Sequence, residues 1–260
     1  MDKKSSPKGI FASYGKYYDI LYADKNYEKE CDFLEEIFRK YSKTPSKVIL
    51  DVGCGTGGHA IPLAKRSYKI TGIDSSKIMI NLAKEKAKNA GVKVDFYEMD
   101  MSRLELNRKF DACVCMFAVI DYLTDNKTID NSLSGIRKHL KDGSLFIFDF
   151  WYGPAVLSIL PSIKLKRMEK GGVKVIRFAE PRLDTPHHVC RVNYYVIVTR
   201  GSLILEEVEE EHVVRFFFPE EIKYHLEKCG FELLKLCTFP TLDAEPTKQT
   251  WNVAAISRAK

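Results

Sequence analysis

The chain has 260 residues, 45% of them hydrophobic, which is enough to bury a substantial core. Its net charge of +6 comes from scattered lysines and arginines, and no arginine-rich block or interleaving of aromatic and basic residues indicates a nucleic acid-binding surface. No apolar run has the length of a membrane span, and the polar first eight residues do not resemble a secretory signal. We therefore expect a cytoplasmic protein whose partners include neither nucleic acid nor a membrane.

The cysteines and histidines do not predict a metal site. The seven cysteines are odd in number and contain no Cys-x-x-Cys pair, which argues against both a disulfide framework and bound zinc. The pair His187-His188 follows Pro186 in a predicted hairpin loop that offers no further ligands. We predict that the protein binds no metal.

Two helices are predicted before the first strand. The segment from Tyr14 to Tyr22 contains four tyrosines, a density that favours a lid with one apolar and one polar edge over pure core packing. Tyr18, in this segment, is a candidate catalytic residue. The second predicted helix starts at Tyr27, is amphipathic and should pack on a sheet. We predict that residues 1–43 form an N-terminal helical lid.

The first strand, Val48–Val52, runs into a glycine-rich turn. Gly53, Gly55 and Gly58 match the G-x-G-x-x-G pattern of dinucleotide-binding units, in which backbone N–H groups approach an anionic ligand closely. The glycines alone therefore leave an NAD(P)-dependent oxidoreductase open. Cys54, inside the turn, is predicted to lie near the cofactor.

Asp51, two positions before the first glycine, distinguishes between the possible ligands. Its carboxylate would repel a pyrophosphate, but it would attract an ammonium or sulfonium by several kcal/mol at an effective dielectric constant of about 20. S-adenosylmethionine (SAM) carries both cations, and its carboxylate can still use the helix N-terminus. The turn therefore favours SAM, and the simpler alternative is that Asp51 caps a turn.

The next two strands also end in acidic residues. The strand Ile70–Asp74 lies about 20 residues past the glycines, and the two carboxylate oxygens of Asp74 suit the ribose hydroxyls, although Asp74 could instead cap the helix that follows. The strand Val92–Met101 ends in Asp100, which can accept from the adenine amino group. The predicted cofactor site also includes three residues near these strand ends: Ser75, and the apolar side chains of Met79 and Met101.

Two further strands complete the predicted core. The strand Phe110–Phe117 leads to Asp121, a candidate catalytic residue, and the strand Gly143–Trp151 ends in Trp151, a candidate substrate contact. Strands alternating with amphipathic helices indicate an α/β fold with a parallel, doubly wound sheet, and right-handed crossovers bring all these strand ends to one edge. We predict that residues 44–154 form the cofactor-binding core.

Roughly 65 residues separate the fifth strand from a helix near Pro219, too many for a simple crossover. Three alternating segments, near residues 173–178, 190–199 and 202–217, predict an inserted antiparallel β cap spanning residues 155–217, with residues 218–260 completing the core. Arg177 and Arg191 could each clamp a phosphate or carboxylate of the substrate, or could pair with the glutamates at 206–211. An exposed edge of this sheet could pair two subunits into a homodimer.

With these motifs, the sequence resembles a class I SAM-dependent methyltransferase, whose first motif is matched by Asp51-Val-Gly-Cys-Gly-Thr-Gly57, and the resemblance extends from about Phe11 to Ala259. It implies a seven-stranded Rossmann-like sheet whose last strand, near residues 250–256, is antiparallel. It also implies positions around the cofactor: Asp51 near the methionine amino group, Asp74 on ribose, Asp100 and Met101 at adenine, and Met116 at the methionine end.

A narrower resemblance involves Tyr17–Tyr22, Lys25–Glu30 and Met116–Leu123, which are similar to dTDP-amino-sugar N,N-dimethyltransferases of deoxysugar pathways. It implies that Tyr22 closes over the cofactor carboxylate. It also implies a histidine near the acceptor amine, where this chain has Asp121. The glycine-rich segment that this group carries before the last strand is replaced here by residues 242–248, which read LDAEPTK.

These observations predict a SAM-dependent methyltransferase that acts on a nitrogen or oxygen of a small molecule, with a nucleotide-linked amino sugar as the candidate acceptor. A neutral amine needs no dedicated base, whereas a hydroxyl acceptor would. Two alternatives are an NAD(P)-dependent oxidoreductase and a non-catalytic SAM-binding protein.

Overall fold

The computed structural model of the protein describes residues 14–260, and the polar tail and Phe11 lie outside the described residues. Its helices are α1 (Tyr18–Leu21), α2 (Tyr27–Tyr41), α3 (Ala60–Lys65), α4 (Lys77–Asn89), α5 (Asn126–His139), α6 (Gly153–Ile159) and α7 (Pro219–Lys228). Its strands are β1 (Val48–Val52), β2 (Lys69–Asp74), β3 (Asp95–Glu98), β4 (Phe110–Cys115), β5 (Leu140–Trp151), β6 (Lys164–Lys170), β7 (Val173–Asp184), β8 (Val189–Arg200), β9 (Leu203–Arg215), β10 (Phe231–Thr238) and β11 (Asn252–Ala259). Short 3₁₀ turns span Gly15–Tyr17, Met101–Arg103 and Val119–Tyr122.

Seven strands form one sheet in the order β10-β11-β5-β4-β1-β2-β3. Strands β1 to β5 pair in parallel, and β11 is antiparallel to both β5 and β10. Parallel strands need crossovers, and these place the carboxyl ends of β1 to β5 at one edge. The predicted seven-stranded fold with an antiparallel last strand is confirmed.

The central strands are apolar along their whole length because both faces of the sheet are covered. Ile49 and Ile147 belong to the apolar cluster on the face that packs against α2, α3 and α4. Leu50, Phe146 and the neighbouring Phe148 belong to the cluster on the opposite face, with residues of α5 and α7. Successive residues of a strand point to opposite faces, so each strand contributes to both halves of the core.

A second sheet of four antiparallel strands, β6-β7-β8-β9, forms the predicted cap. The two ends of the insertion meet: the Phe217 N–H donates to the Trp151 carbonyl at 3.0 Å, and the Gly153 N–H donates to the Phe217 carbonyl at 2.8 Å. The inner face of the cap packs against the N-terminal segment, where Tyr14 and Leu21 join a cluster of cap valines. The cap therefore contacts both the sheet and the N-terminal segment.

Three local predictions differ from the structure. Residues 14–22 form only a 3₁₀ turn and the single turn α1, because their tyrosines pack against the cap and not along a helix face. Strand β3 spans only Asp95–Glu98, because Asp100 already caps the following 3₁₀ turn. Strand β6 was not predicted, because its side chains are mostly exposed on both faces and show no apolar alternation.

Candidate active site

A cavity of about 320 Å³ lies at the carboxyl ends of β1, β2 and β4, beneath the cap. The turn after β1 lines one side, the lid tyrosines and the segment after β4 line the middle, and cap residues lie opposite. The lining residues are Tyr18, Tyr22, Tyr27, Gly53, Cys54, Gly55, Thr56, Gly58, His59, Asp74, Met79, Met116, Phe117, Ala118, Val119, Tyr122, Trp151, Arg177, Val192, Tyr194, Val214 and Asn252. Parallel strands converge here, which is where ligands of open α/β sheets bind.

Three glycines of the glycine-rich turn, Gly53, Gly55 and Gly57, have positive φ, and the first two line the cavity. Gly53 has φ +69°, and a Cβ added there would lie 2.4 Å from a methyl carbon of Val119. Gly55 has φ +54°, and a Cβ added there would meet no heavy atom within 4 Å, although Gly55 lines the cavity. The backbone at Gly55 therefore forms a cradle that a ligand can approach closely.

Asp74 lies at the end of β2 and faces this cradle. One carboxylate oxygen accepts from the Gly55 N–H at 2.9 Å, and the other accepts from the Ser76 N–H at 2.8 Å. Each oxygen can accept a further hydrogen bond, so the carboxylate fits a vicinal diol. Ser76, and not Asp74, caps α4, since its hydroxyl accepts from the Met79 N–H. Ser75 is not among the lining residues.

Asp51 is buried at the end of β1, and its Oδ2 has no hydrogen-bond partner among the described residues. The pKa of Asp51 is raised to about 6, chiefly by burial; His59 opposes the shift, and the nearby Asp74 adds to it. An acceptor without a partner in such a place suits a cation better than a pyrophosphate. Asp51 does not itself line the cavity, so its contact with the cofactor ammonium stays a prediction, whereas the cradle and Asp74 lie at the cavity and fit the ribose end of SAM.

The raised pKa of Asp51 predicts a pH dependence of cofactor binding. A bound ammonium favours the ionised carboxylate, so affinity for S-adenosylhomocysteine should be full at pH 7 and fall as pH drops through 6. From the ionised fraction, the loss at pH 5 is about tenfold. Calorimetric titration across this range measures it, and Asp51→Asn should bind weakly and without this dependence. A wild-type affinity that is constant from pH 7 to 5 would contradict the assignment.

Asp100 and Met101 lie beside the end of β2, because the Met99 N–H donates to the Asp74 carbonyl at 2.9 Å. The Asp100 carboxylate accepts from the backbone and the hydroxyl of Ser102, both at 2.8 Å. Neither Asp100 nor Met101 lines the cavity. Their contact with adenine therefore stays a prediction, supported only by their position next to the ribose site.

The segment after β4 has a tight turn that Asp149 stabilises. Phe117 and Ala118 have φ +75° and +55°, which is uncommon for residues with side chains. Both N–H groups donate to one carboxylate oxygen of Asp149. This turn brings Phe117 and Val119 to the cavity, next to Met116.

Asp121 was expected at the ligand-binding edge of the sheet, but its side chain lies elsewhere. It is fully buried, its Oδ2 accepts from the Trp151 N–H at 2.9 Å, and it does not line the cavity. The 3₁₀ turn Val119–Tyr122 rotates Asp121 into the core and brings Tyr122 to the cavity instead. The catalytic role predicted for Asp121 stays a prediction, and its observed contact is one that supports Trp151.

The lid tyrosines and one cap arginine meet across the cavity. The rings of Tyr18 and Tyr22 lie 4.6 Å apart, and Tyr22 contacts Phe117 edge-on at 5.1 Å. The Arg177 guanidinium donates to the Tyr22 hydroxyl at 2.7 Å, and the Trp151 side chain lines the same cavity. The structure thus brings four residues that were predicted as site residues to one cavity: Tyr18, Tyr22, Trp151 and Arg177.

Arg191 is not brought to this cavity. Its guanidinium pairs with Glu211 on the neighbouring strand at 3.3 Å, and both side chains are about half exposed. This is the cross-strand pair that was the alternative to a substrate clamp. Arg177 and Arg191 lie on different strands of a sheet with two faces, and their sequence positions alone do not show which face is covered.

Several cavity residues carried no clear sequence signal. Tyr122 follows Asp121 directly, and its hydroxyl lies 2.8 Å from Nδ1 of His212. His212 stands at the end of a run of glutamates, where only the period-two alternation places it on the same face as Val208 and Val214. His59 hydrogen-bonds to Glu30 of α2 at 2.7 Å, which ties the glycine-rich turn to the lid side of the molecule.

Among residues 14–260, no helix is both long and apolar enough to cross a membrane. The same residues contain no group of three or more histidine, cysteine or acidic side chains placed to hold a metal ion.

Comparisons with known proteins agree with this site. A family model described as a methyltransferase domain matches residues 49–143. A putative methyltransferase of Geobacillus sp. (strain WCH70) is 34% identical over 140 residues, which are 54% of this chain and 56% of that protein, so the match spans about half of that relative. The dTDP-3-amino-3,6-dideoxy-alpha-D-glucopyranose N,N-dimethyltransferase of Streptomyces fradiae is 24% identical over 90% of this chain and 91% of its own length.

A solved structure of an S-adenosylmethionine-dependent methyltransferase from Clostridium acetobutylicum ATCC 824 has the same fold. It matches with a TM-score of 0.81 and 23% identity, over 94% of this chain and 96% of that chain. The methyltransferase domain and the methyltransferase relatives support SAM as the cofactor. The chain carries a methyltransferase domain over residues 49–143 and is similar to methyltransferases that include the dTDP-amino-sugar N,N-dimethyltransferases. The oxidoreductase alternative left open by the glycine pattern is set aside.

Proposed function

We propose that the enzyme methylates an amine nitrogen of a small molecule held in the cavity. The observation that carries this proposal is the aromatic lining around the space next to the glycine-rich turn, formed by Tyr18, Tyr22, Tyr122, Trp151 and Tyr194. Transfer of a methyl group from a sulfonium to an amine moves a positive charge across this space. Aromatic faces stabilise such a charge by roughly 0.5–2 kcal/mol each.

The alternative acceptor atom, a hydroxyl oxygen, would need a base in contact with it. Burial raises the pKa of Tyr18 and Tyr122 well above the ordinary tyrosine value, and that of Tyr194 to about 12, so these hydroxyls stay protonated at neutral pH. An amine that enters in its neutral form needs no such base. None of these tyrosine hydroxyls is by itself the ionised base that a hydroxyl acceptor would need, which favours nitrogen over oxygen.

Bound SAM supplies an activated methyl group, and the protein chiefly aligns the reactants and excludes water. In this proposal Asp51, Gly55 and Asp74 hold the cofactor. Tyr22 and Arg177 close the lid side. The turn carrying Phe117, kept in its conformation by Asp149, forms the floor between the cofactor and the acceptor.

A second cavity of about 310 Å³ supports an acceptor that is larger than a simple amine. It shares Trp151, Arg177, Val192 and Tyr194 with the first cavity, so these four residues separate the two spaces. The charged side chains in its described lining are Arg177 and Lys164, both cationic. The buried Nε of Arg177 has no partner among the described residues. We therefore propose that the acceptor carries an anionic group at its far end.

A nucleotide-linked amino sugar combines these features, and the Streptomyces fradiae relative is named for such an acceptor. The experiment is mass spectrometry after incubation with methyl-labelled SAM and dTDP-3-amino-3,6-dideoxyglucose, alongside a small-metabolite extract. Label on the amino sugar would support the proposal. Label on an oxygen would overturn the proposal of an amine acceptor. Label only on a different class of metabolite in the extract would overturn the proposal of a sugar acceptor.

Removal of the Arg177 guanidinium should weaken binding of this acceptor selectively. Arg177→Met is expected to raise KM for the nucleotide sugar by about 10- to 100-fold, the effect of losing one or two charge-assisted hydrogen bonds. Steady-state kinetics at saturating SAM measure this. Arg191→Met is the matched control, since Arg191 pairs with Glu211 outside the cavity. An equal effect of both substitutions would contradict the clamp.

We further propose that the predicted divisions act as functional parts: residues 1–43 as a lid, 44–154 as the cofactor core, 155–217 as the acceptor cap and 218–260 as completion of the core. The contacts of α1 with the cap and the meeting of the insertion's ends support these boundaries. Pairing of two subunits through the cap sheet is part of the same proposal, supported by the exposed apolar residues Leu203, Ile204 and Leu205 at the start of edge strand β9.

A further inference from the structure

Three side chains form a hydrogen-bonded chain from the interior of the cap to the cavity. Tyr122 lines the cavity, and its hydroxyl lies 2.8 Å from Nδ1 of His212. The other ring nitrogen of His212 lies 2.9 Å from a carboxylate oxygen of Glu210. His212 is 1% exposed, and 9% of the Glu210 side chain is exposed, so water has little access to this chain.

The chemistry of Glu210 determines where the protons are. An ionised carboxylate can only accept, so Nε2 of His212 must carry the hydrogen that it donates to Glu210. In the neutral ring, Nδ1 then carries no hydrogen, and its lone pair accepts a hydrogen bond from the Tyr122 hydroxyl. The order Glu210–His212–Tyr122 is therefore poised to take up one proton at the Tyr122 oxygen.

The surroundings of His212 come from four elements. The Tyr14 ring stacks on it at 6.0 Å, the Tyr194 ring contacts it edge-on at 4.7 Å, and the Arg177 guanidinium lies over the Tyr194 ring at 4.7 Å. On the side of the 3₁₀ turn, the buried Asp121 is the chain neighbour of Tyr122. Glu210 is thus the carboxylate that contacts the imidazole directly, and it would stabilise an imidazolium.

We propose that Glu210, His212 and Tyr122 form a proton relay that removes the proton left on the acceptor nitrogen after methyl transfer. A new N–CH₃ bond uses the nitrogen lone pair and leaves an ammonium. One ammonium N–H proton passes to the Tyr122 oxygen while the Tyr122 O–H proton passes to Nδ1 of His212. The products are a neutral methylated amine and an imidazolium paired with Glu210. Tyr122 contacts the acceptor, and His212 and Glu210 act through it.

This inference rests on the proposed amine acceptor, because O-methylation leaves no ammonium. It explains why a histidine and a glutamate are buried under a cap whose other inward residues are mainly apolar. A neutral product amine would be free to leave the aromatic cavity or to accept a second methyl group, whereas an ammonium would be held by the surrounding rings.

The first test requires no acceptor. Nitrogen-15 NMR of the full chain labelled at histidine, with S-adenosylhomocysteine bound, reports which ring nitrogen of His212 is protonated, and His212→Gln assigns the signal. We expect the neutral ring to carry its hydrogen on Nε2. A neutral ring with hydrogen on Nδ1 would overturn the relay, because His212 would then donate to Tyr122 and could not accept its proton.

The second test follows turnover against pH, with the amine acceptor identified by the labelling experiment. His212→Gln and Tyr122→Phe should each lower kcat by about 100-fold, the usual contribution of proton transfer, and the double variant should be no slower than either. The relay predicts that the pH profile of kcat differs between the wild type and His212→Gln, because the variant lacks the imidazole that accepts the proton. The affinity of this variant for S-adenosylhomocysteine should be unchanged.

His187→Gln is the matched control, since His187 lies on the same cap with an exposed side chain that pairs with Asp184. A wild-type pH profile in His212→Gln, or equal losses in both histidine variants, would overturn the relay. A third outcome is that no amine is methylated although NMR finds the hydrogen of the neutral His212 ring on Nε2. The proposed amine acceptor would then be wrong, whereas the hydrogen-bonded order of the three residues would still be correct.

Discussion

Asp74→Ala is expected to weaken binding of S-adenosylhomocysteine by about 100-fold, or about 3 kcal/mol. The carboxylate is assigned two hydrogen bonds to ribose, each charge-assisted and worth about 1.5–3 kcal/mol. It also holds the Gly55 N–H, which shapes the cradle. Isothermal titration calorimetry of the wild type and the variant measures the difference directly.

Asp95→Ala is the control for this substitution. Asp95 lies on the adjacent strand β3, where its half-exposed carboxylate pairs with Arg108 at 3.2 Å. Loss of such a surface pair changes stability by less than about 1 kcal/mol and should leave cofactor binding intact. If Asp74→Ala and Asp95→Ala bind the cofactor equally well, the ribose assignment is wrong.

Gly55→Ala should lower cofactor affinity at least tenfold without unfolding the protein. An added methyl group would meet no protein atom within 4 Å, so its volume would occupy the space assigned to the ligand. The positive φ of +54° adds strain of roughly 1–2 kcal/mol. Thermal denaturation with and without S-adenosylhomocysteine separates these effects, because the strain lowers both melting temperatures and the lost affinity shrinks the gap between them.

The matched control for Gly55→Ala is Gly91→Ala. Gly91 has φ +66°, an added methyl group there would also meet no atom within 4 Å, and Gly91 does not line the active-site cavity. Both variants should lose similar stability, but only Gly55→Ala should bind the cofactor more weakly. An equal shift on ligand addition in both variants would mean that the space at Gly55 is not the cofactor site.

The cofactor half of the site was largely predictable from sequence. Buried parallel strands are nearly continuous apolar runs, so an acidic residue at the end of one is conspicuous. This is why Asp51 and Asp74 were singled out; Asp74 lines the cavity, whereas the cofactor contact of Asp51 stays a prediction. Gly53 and Gly55 were visible because positive φ and close backbone approach both require glycine.

The acceptor half was less predictable because it depends on local turns and on the face of a strand. A single 3₁₀ turn after β4 buries Asp121 and presents Tyr122 to the cavity, a rotation that the sequence does not specify. On the cap, Arg177 and Arg191 look alike in sequence, and only the strand register and the packing of the lid separate them. His212 reaches the cavity region through Tyr122, by a contact between residues 90 positions apart.

The insertion is built so that it can be exchanged as a unit, because its two ends meet at Trp151, Gly153 and Phe217. Because its two ends are hydrogen-bonded neighbours, a longer or shorter insertion would add little loop-closure entropy to the fold of the sheet. The cofactor residues lie outside the insertion, whereas Arg177, Tyr194 and His212 lie within it. With the proposed roles of these residues, replacement of one contiguous segment, in evolution or in the laboratory, would change the acceptor range and leave the residues proposed to bind the methyl donor unchanged.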